Sequence, residues 1–485
     1  MQEKRKNTPW REYIKEIASW YPLNLYKNGW FISRYPNTDR SWLIVSRKEY
    51  EEKRNEVNIW IDFSWDFSQD LKFLIKKFPK APSTIFYWWN ENTEFADAVF
   101  GAKNAYLTFA VWLWAENVMY SFLTTMNVKN IFGSVYIKWW SENIYNSLSV
   151  SNSFNVFFSQ HIQNCSNIWE SSNLIGCQEC IYCDNLINQS YCIENKTYEK
   201  DEYFKIKNEK LKDKKSIGKK SNKTQANNYN STNVSWFGII KSSNIENWFF
   251  LDQISDSRNC IFIYGWEATC KSYYDCLECG NNSNDFYGVN CAWTWSNNIY
   301  NSSWIWNSQN IYYSYDLDSC SYCLGCIWLK NKQFCILNKQ YTKEERFEKA
   351  NEIFAQMDKD GTLWSFFPAS MNPFYFNDTA AYLIDDTFTK EEVTAEWYLR
   401  RDEAIKVDVP TWADMIETKE LNDYQWFDES WVWKINPEIL KKVIKDEKWN
   451  FYRIVPMELE FLQKHGLPLP EIHWLERIKL WFKFK

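Results

Sequence analysis

The chain has 485 residues with 62 acidic and 56 basic side chains; the formal charge of −6 excludes the basic bias of a general nucleic-acid binder. Its 45% hydrophobic content is enough to bury a core, and its length predicts about three domains. Against 30 Trp stand only 12 Gly, although Gly averages about 7% of residues and Trp is far rarer.

The start, Met1-Gln2-Glu3-Lys4-Arg5-Lys6, has no apolar stretch behind it, so no signal peptide is predicted. The longest apolar run, Tyr106 to Ala115, is too short to span a bilayer. The 14 Cys then predict reduced thiols in a cytoplasm rather than a disulfide framework. Residues 1–90 mix strand-like Trp42-Leu43-Ile44-Val45 with helical Phe67 to Phe78, and predict a small α+β cap. Pro79 to Pro82 leads out of it. Solenoids need such caps over their open ends.

Residues 91–198 and 233–341 are periodic. A polar residue, usually Asn, precedes a core-type residue at Asn104-Ala105, Asn117-Val118, Asn130-Ile131, Asn143-Ile144, Asn155-Val156, Asn167-Ile168, Glu179-Cys180 and Tyr191-Cys192. The steps are three of 13 followed by 12 throughout. Asn259-Cys260, Ser272-Tyr273, Asp285-Phe286, Asn298-Ile299, Asn310-Ile311, Tyr322-Cys323 and Phe334-Cys335 repeat that change of step, which indicates an internal duplication. Half-way aliphatics (Val150, Ile162, Leu174; Ile305, Leu317) and small residues (Ser147, Ser153, Ser159, Cys165; Ser302, Ser308, Ser314) reduce the unit to a hexad. A hexad is one short strand plus a corner. The expected fold is therefore mainly β: a parallel β-solenoid of 12–13-residue coils stacked about 4.8 Å apart. Asn suits corners because it tolerates the left-handed region. Two hexads per coil and four per coil both satisfy the spacing. A β-sandwich does not account for the duplicated steps, and an α-solenoid disagrees with the β-branched, Asn- and Ser-rich segments.

Each block ends alike, in Cys177-x-x-Cys180-x-x-Cys183 with Cys192, and in Cys320-x-x-Cys323-x-x-Cys326 with Cys335. Asn195-Lys196-Thr197-Tyr198 and Asn338-Lys339-Gln340-Tyr341 follow. Four thiols at this spacing are candidate zinc ligands, and by ligand count iron–sulfur ligands. Every one of them also occupies a regular hexad position, where Ser or an aliphatic sits in other coils, so a ladder of buried thiols is the preferred reading, with no cofactor. Cys276 with Cys279, Cys260, Cys270 and Cys291 form a less regular set. Residues 199–232, rich in Lys and Asn, predict a disordered insertion, with phosphate binding as its functional alternative. Residues 342–485 predict a helical region, with helices at Lys343 to Met357, Lys390 to Ala404, Pro437 to Asp446 and Pro456 to His465. The three His (His161, His465 and His473) offer few candidates for catalysis, and a lone His473 reads as structural.

The segment Cys320 to Glu344, the run Ser365-Phe366-Phe367-Pro368-Ala369-Ser370, and Glu458 to Pro470 resemble an uncharacterised family of Cys-rich repeat proteins of candidate-phylum bacteria. The likeness covers most of the chain beyond about residue 20. In that family the residue matching Trp328 is commonly Gly. Some relatives carry terminal zinc-ribbon cysteines; here no Cys precedes Cys165 or follows Cys335. Some carry a CaiB/BaiF (CoA-transferase) label, which this chain, lacking a βαβ pattern, does not support. A few such lineages read UGA as Gly, and the Trp distribution fits that. Trp30, Trp431 and Trp449 sit in Lys27-Asn28-Gly29-Trp30, Asp428-Glu429-Ser430-Trp431 and Glu447-Lys448-Trp449-Asn450, turns that call for positive φ. A sugar-binding, Trp-rich protein is the alternative, but its Trp would follow a helix or strand period.

These readings predict a non-catalytic scaffold or binding protein whose partner is a protein or a second copy. A zinc-binding protein, nucleic-acid associated, is the alternative. A carbohydrate-active enzyme comes third, because no acid pair converges in the pattern. Neither a membrane nor a nucleic acid is an expected partner of the scaffold.

Overall fold

The computed structural model describes residues 10–29, 31–40, 43–56, 59–83, 85–86, 89–212, 232–234, 243–245, 249–251, 254–255, 261–264, 270–273, 277–280, 283–287, 296–402 and 414–481. The chain forms two compact units, Met1–Ser83 with Asn227–Arg400, and Thr84–Ala226 with Arg401–Lys485. Each contains one block of a parallel β-solenoid.

In the unit built on the first block, strands of four residues alternate between two faces. Phe122–Thr125, Val135–Lys138, Leu148–Ser151, Gln160–Gln163, Ser172–Ile175 and Asp184–Ile187 stack on one face. Lys129–Phe132, Glu142–Tyr145, Phe154–Phe157, Ser166–Trp169, Gln178–Ile181 and Ser190–Ile193 stack on the other. Each coil gives one strand to each face, so two hexads make a coil. Val156 pairs with Ile144 and Ile168, Ile168 with Cys180, and Cys180 with Cys192, all buried in one column. Val150, Ile162 and Leu174 form the facing column. Each buried aliphatic of these columns contributes about 1.5–3 kcal/mol. In the second block Ile299, Ile311 and Cys323 are likewise in register and buried.

The backbone explains the residue choice. From Asn143 to Glu194, and from Asn298 to Leu337, every third residue has positive φ. Such a conformation strains an L-residue by about 1–2 kcal/mol, least for Asn, whose side chain bonds locally. The Asn anchors exploit this. Nδ2 of Asn104 donates to Oδ1 of Asn117 at 2.9 Å, and the series continues through Asn130, Asn143, Asn155 and Asn167 to Glu179. The longer coils contain adjacent left-handed pairs, Leu113-Trp114, Met126-Asn127 and Trp139-Trp140. One extra residue at a corner is thus the whole difference between a 13-step and a 12-step.

Outer aromatic columns are covered by the C-terminal segments. Phe461, on the helix Pro456–His465, packs on Phe132 at 4.6 Å and Tyr145 at 6.1 Å. Arg477 donates to Tyr145 and to Glu458, a buried ion pair at 3.2 Å. In the other unit Tyr300 stacks on Tyr312, and Phe354 of the helix Lys343–Lys359 packs on Tyr312.

Several boundaries differ from expectation. The C-terminal region is divided between the two units and contains short strands as well as helices. The expected helix Pro437 to Asp446 is a 3-10 turn, Pro437–Lys441, followed by the strand Val443–Lys445. Its β-branched Val443 and Ile444 pair with Met415 and Ile416, so strand pairing overrides local helix propensity. The helix from Lys390 stops at Ala395 rather than Ala404. Lys200–Lys210, expected to be disordered, is a helix whose Tyr203 is buried and whose Lys207 pairs with Glu179 at 2.7 Å. Residues 213–231 of that predicted insertion lie outside the described residues.

Candidate functional site

Small residues line the two corners of each coil. Ser147 Oγ donates to the carbonyl of Tyr145 and accepts the N–H of Ser159 one coil on. Ser121, Ser134, Ser147, Ser159, Ser171 and Cys183 form one such series; Ser141, Ser153, Cys165 and Cys177 form the other. In the second block Ser302, Ser314 and Cys326 make one column, and Ser296, Ser308 and Cys320 the other. A thiol in the terminal coils therefore replaces a hydroxyl that satisfies two backbone groups.

The predicted ligands all lie in the terminal coils and all are buried: Cys177, Cys180, Cys183 and Cys192, then Cys320, Cys323, Cys326 and Cys335. Each aims its sulfur at the carbonyl two residues back, as Cys320 does at Asp318 (3.3 Å) and Cys326 at Leu324 (3.4 Å). Cys320 and Cys326 belong to different corners, while Cys323 and Cys335 sit one coil apart. The central thiols nonetheless feel their neighbours. Hydrogen bonding with Cys177 and Cys183, then burial, pushes Cys180 up; Cys320, Cys326 and Cys335, then burial, do the same to Cys323. Hydrogen bonding pulls Cys177 (with Cys165 and Cys180), Cys183 (with Cys180), and Cys320 and Cys335 (with Cys323) down, so the arrangement fits core thiols that bond one another. Among the described residues, no three His, Cys, Asp or Glu side chains are grouped as a metal site. Cys260, Cys276 and Cys291 lie outside the described residues, and Cys270 and Cys279 stand on the strands Cys270–Tyr273 and Leu277–Gly280.

A second feature escaped the sequence pattern. In the unit containing the second block, Trp20, Tyr35, Phe78, Lys80, Trp304, Tyr315, Trp328 and Phe374 are among the residues lining a narrow cleft. Lys80 stands where its backbone pairs with Leu43 and Val45. Burial alone pulls its amine down to about 8. Its Nζ lies 5.8 Å from the Tyr35 ring, whose hydroxyl meets that of Tyr315 at 2.8 Å. Among the described residues no carboxylate lines the cleft. It offers aromatic faces and one cation, but no acid–base pair. Trp304 and Trp328 both have positive φ, so glycine at either position would widen it. The sequence signalled nothing here, because Pro79-Lys80 reads as a linker and the lining comes from segments far apart in the chain.

His473, expected to be structural, caps the helix Trp474–Leu480, its Nδ1 accepting from the N–H of Leu475.

Fold and site together define a two-block β-solenoid scaffold with thiol-rich terminal coils. Comparison with family models, curated proteins and solved structures gives no match. Among the described residues no helix is long and apolar enough to cross a membrane.

Proposed function

We propose that the chain is a non-catalytic scaffold that binds a protein partner through its solenoid. The observation that carries this is the ordered outer surface. Beside the Asn series run Glu91, Lys103, Glu116 and Lys129, paired at 3.2 Å and 3.1 Å. Such a rigid row of alternating charge suits recognition of a complementary surface. The test is chemical cross-linking of the full chain with its captured partner, mapped by mass spectrometry. Cross-links at Lys103 and Lys129 are expected, together with loss of partner capture by the Lys103→Glu, Lys129→Glu variant; capture unchanged in that variant, or turnover of a carbohydrate or thioester substrate, would replace this reading.

The hydrogen bonds that Cys323 shares with Cys320, Cys326 and Cys335 favour a second reading, in which these thiols, and Cys177, Cys180, Cys183 and Cys192 in the first block, hold zinc. The sulfurs would then have to turn from the carbonyls they now address. Metal content of the purified chain separates the two readings. On either one, the Trp at tight turns outside the solenoid are proposed to be glycine in the natural protein.

A further inference from the structure

The duplicated ends of the two blocks differ in one respect. At both, an Asn side chain closes the last strand as a backbone amide would. Asn195 accepts the N–H of Asp184 and donates to its carbonyl. Asn338 does the same for Ile327. Lys196 and Lys339 follow, then Tyr198 and Tyr341.

In the second block this end is covered. The extended segment Ile59 to Asp62 lies across it. Asn338 donates to the carbonyl of Ile59 at 3.1 Å, the N–H of Ile61 reaches the carbonyl of Leu337 at 3.3 Å, and Lys339 pairs with Asp62. Lys339 also lies 4.8 Å from the Trp60 ring. Leu337 and Asn338 are buried as a result.

In the first block the same groups face solvent. Glu194, Asn195, Lys196 and Thr197 are exposed, and Ile187 is 61% exposed. Lys196 lies over the Tyr198 ring at 4.9 Å, and no carboxylate of the described residues pairs with it. The helix Lys200–Lys210 packs beside this end, its Lys210 pairing with Glu194 at 2.8 Å, and leaves Asn195, Lys196 and Thr197 exposed.

We propose that the end of the first block is a docking site for an extended acidic segment of a partner protein, held as Ile59 to Asp62 is held at the second block. Its occupant supplies a main-chain carbonyl for Asn195, apolar side chains at alternate positions, and a carboxylate for Lys196. This rests on the scaffold reading and names the class of partner. It is strand-like recognition at a sheet edge, in which main-chain bonds give affinity and a charge gives specificity.

The experiment uses the full chain and a fluorescein-labelled hexapeptide, Ile-Trp-Ile-Asp-Phe-Ser, copied from residues 59–64. Fluorescence anisotropy is expected to show saturable binding, weakened about tenfold by Lys196→Glu and unaffected by Lys339→Glu, whose site is filled. A hexapeptide with Lys in place of Asp is expected to fail on the original chain and to bind Lys196→Glu. That charge swap keeps the test valid if any single variant folds poorly. Absence of binding, equal binding by Lys196→Glu, or loss in Lys339→Glu instead would overturn the proposal. So would a dimer that dissociates on Lys196→Glu, which would make the occupant a second copy. Failure here with the cross-links at Lys103 and Lys129 intact would sink this site and leave the scaffold standing.

Discussion

Replacing five tryptophans by glycine is expected to stabilise this protein. Outside the solenoid, Trp65, Trp364, Trp397, Trp431 and Trp449 all have positive φ, between 61° and 74°. Three sit in motifs that select glycine. Trp397 follows the helix Lys390–Ala395, with its N–H on Thr394 and that of Tyr398 on Val393. Gly361 makes the same two bonds after the helix Lys343–Lys359, to Asp358 and, through Thr362, to Met357. Trp431 and Trp449 close three-residue hairpin loops, bonding Asp428 and Asp446 at 3.0 Å, at the left-handed position of such loops. Four of the five are 65–70% exposed, so little burial is lost. Relief of about 1–2 kcal/mol per site, less about 0.5–1 kcal/mol for the greater freedom of unfolded glycine, leaves about 0.5–1 kcal/mol each. Trp364, half-buried beside Tyr300 and Phe354 with ring centroids 6.1 Å away, gains least, and Trp449 gains little because Lys445 lies over its ring at 3.3 Å. The sites are dispersed and should add, giving roughly 2–4 kcal/mol in all. Urea melts of the original and five-fold variant measure this. The control is Trp20→Gly: Trp20 is buried against Phe366 and Phe367, and its loss should destabilise by about 3–5 kcal/mol. A five-fold variant that melts no later than the original chain would refute the reasoning; UGG at these five codons would refute the proposal that they are glycine in the natural protein.

Three other outcomes follow from the structure. Asn143→Ala removes two ladder bonds, at 2.9 Å and 3.0 Å, and leaves Ala at φ 58°; a loss of about 2–4 kcal/mol is expected in urea melts. Cys326→Ser should cost less than about 1.5 kcal/mol, because Ser314 already bonds the carbonyl of Tyr312 as Cys326 bonds Leu324; stoichiometric zinc that vanishes with this change, together with folding, would favour the metal reading. Burial lowers His473 to about 4, and its Nδ1 must stay unprotonated to accept from Leu475. The unfolded chain therefore binds the proton more readily, so stability present above about pH 6.5 is lost as pH falls towards 4, by up to about 3 kcal/mol. Melts across that range should show a slope that His473→Gln flattens.

The hexad pattern alone determined the solenoid, the duplication and the inward columns. A side chain that recurs once per coil must meet its own kind in the next coil, so Ile144, Val156 and Ile168 could be aligned from spacing. The Asn anchors were legible for the same reason, although their left-handed backbone makes them a hydrogen-bonded series rather than simple corners. Only the tertiary structure decided that two hexads close a coil, because the linear period is the same for two or four. It also decided which segments pack together: the halves of the C-terminal region belong to different units, Val443 and Ile444 become strand by pairing, and Ile59 to Asp62 covers one block's end. These are contacts between residues far apart in the chain, set by complementary surfaces that no local period records. The Lys80 cleft is of that kind, for its depressed basicity comes from burial. The cysteines lie between the two cases: their positions were readable from the repeat, while the direction of each sulfur depended on the carbonyl it reaches in the folded coil.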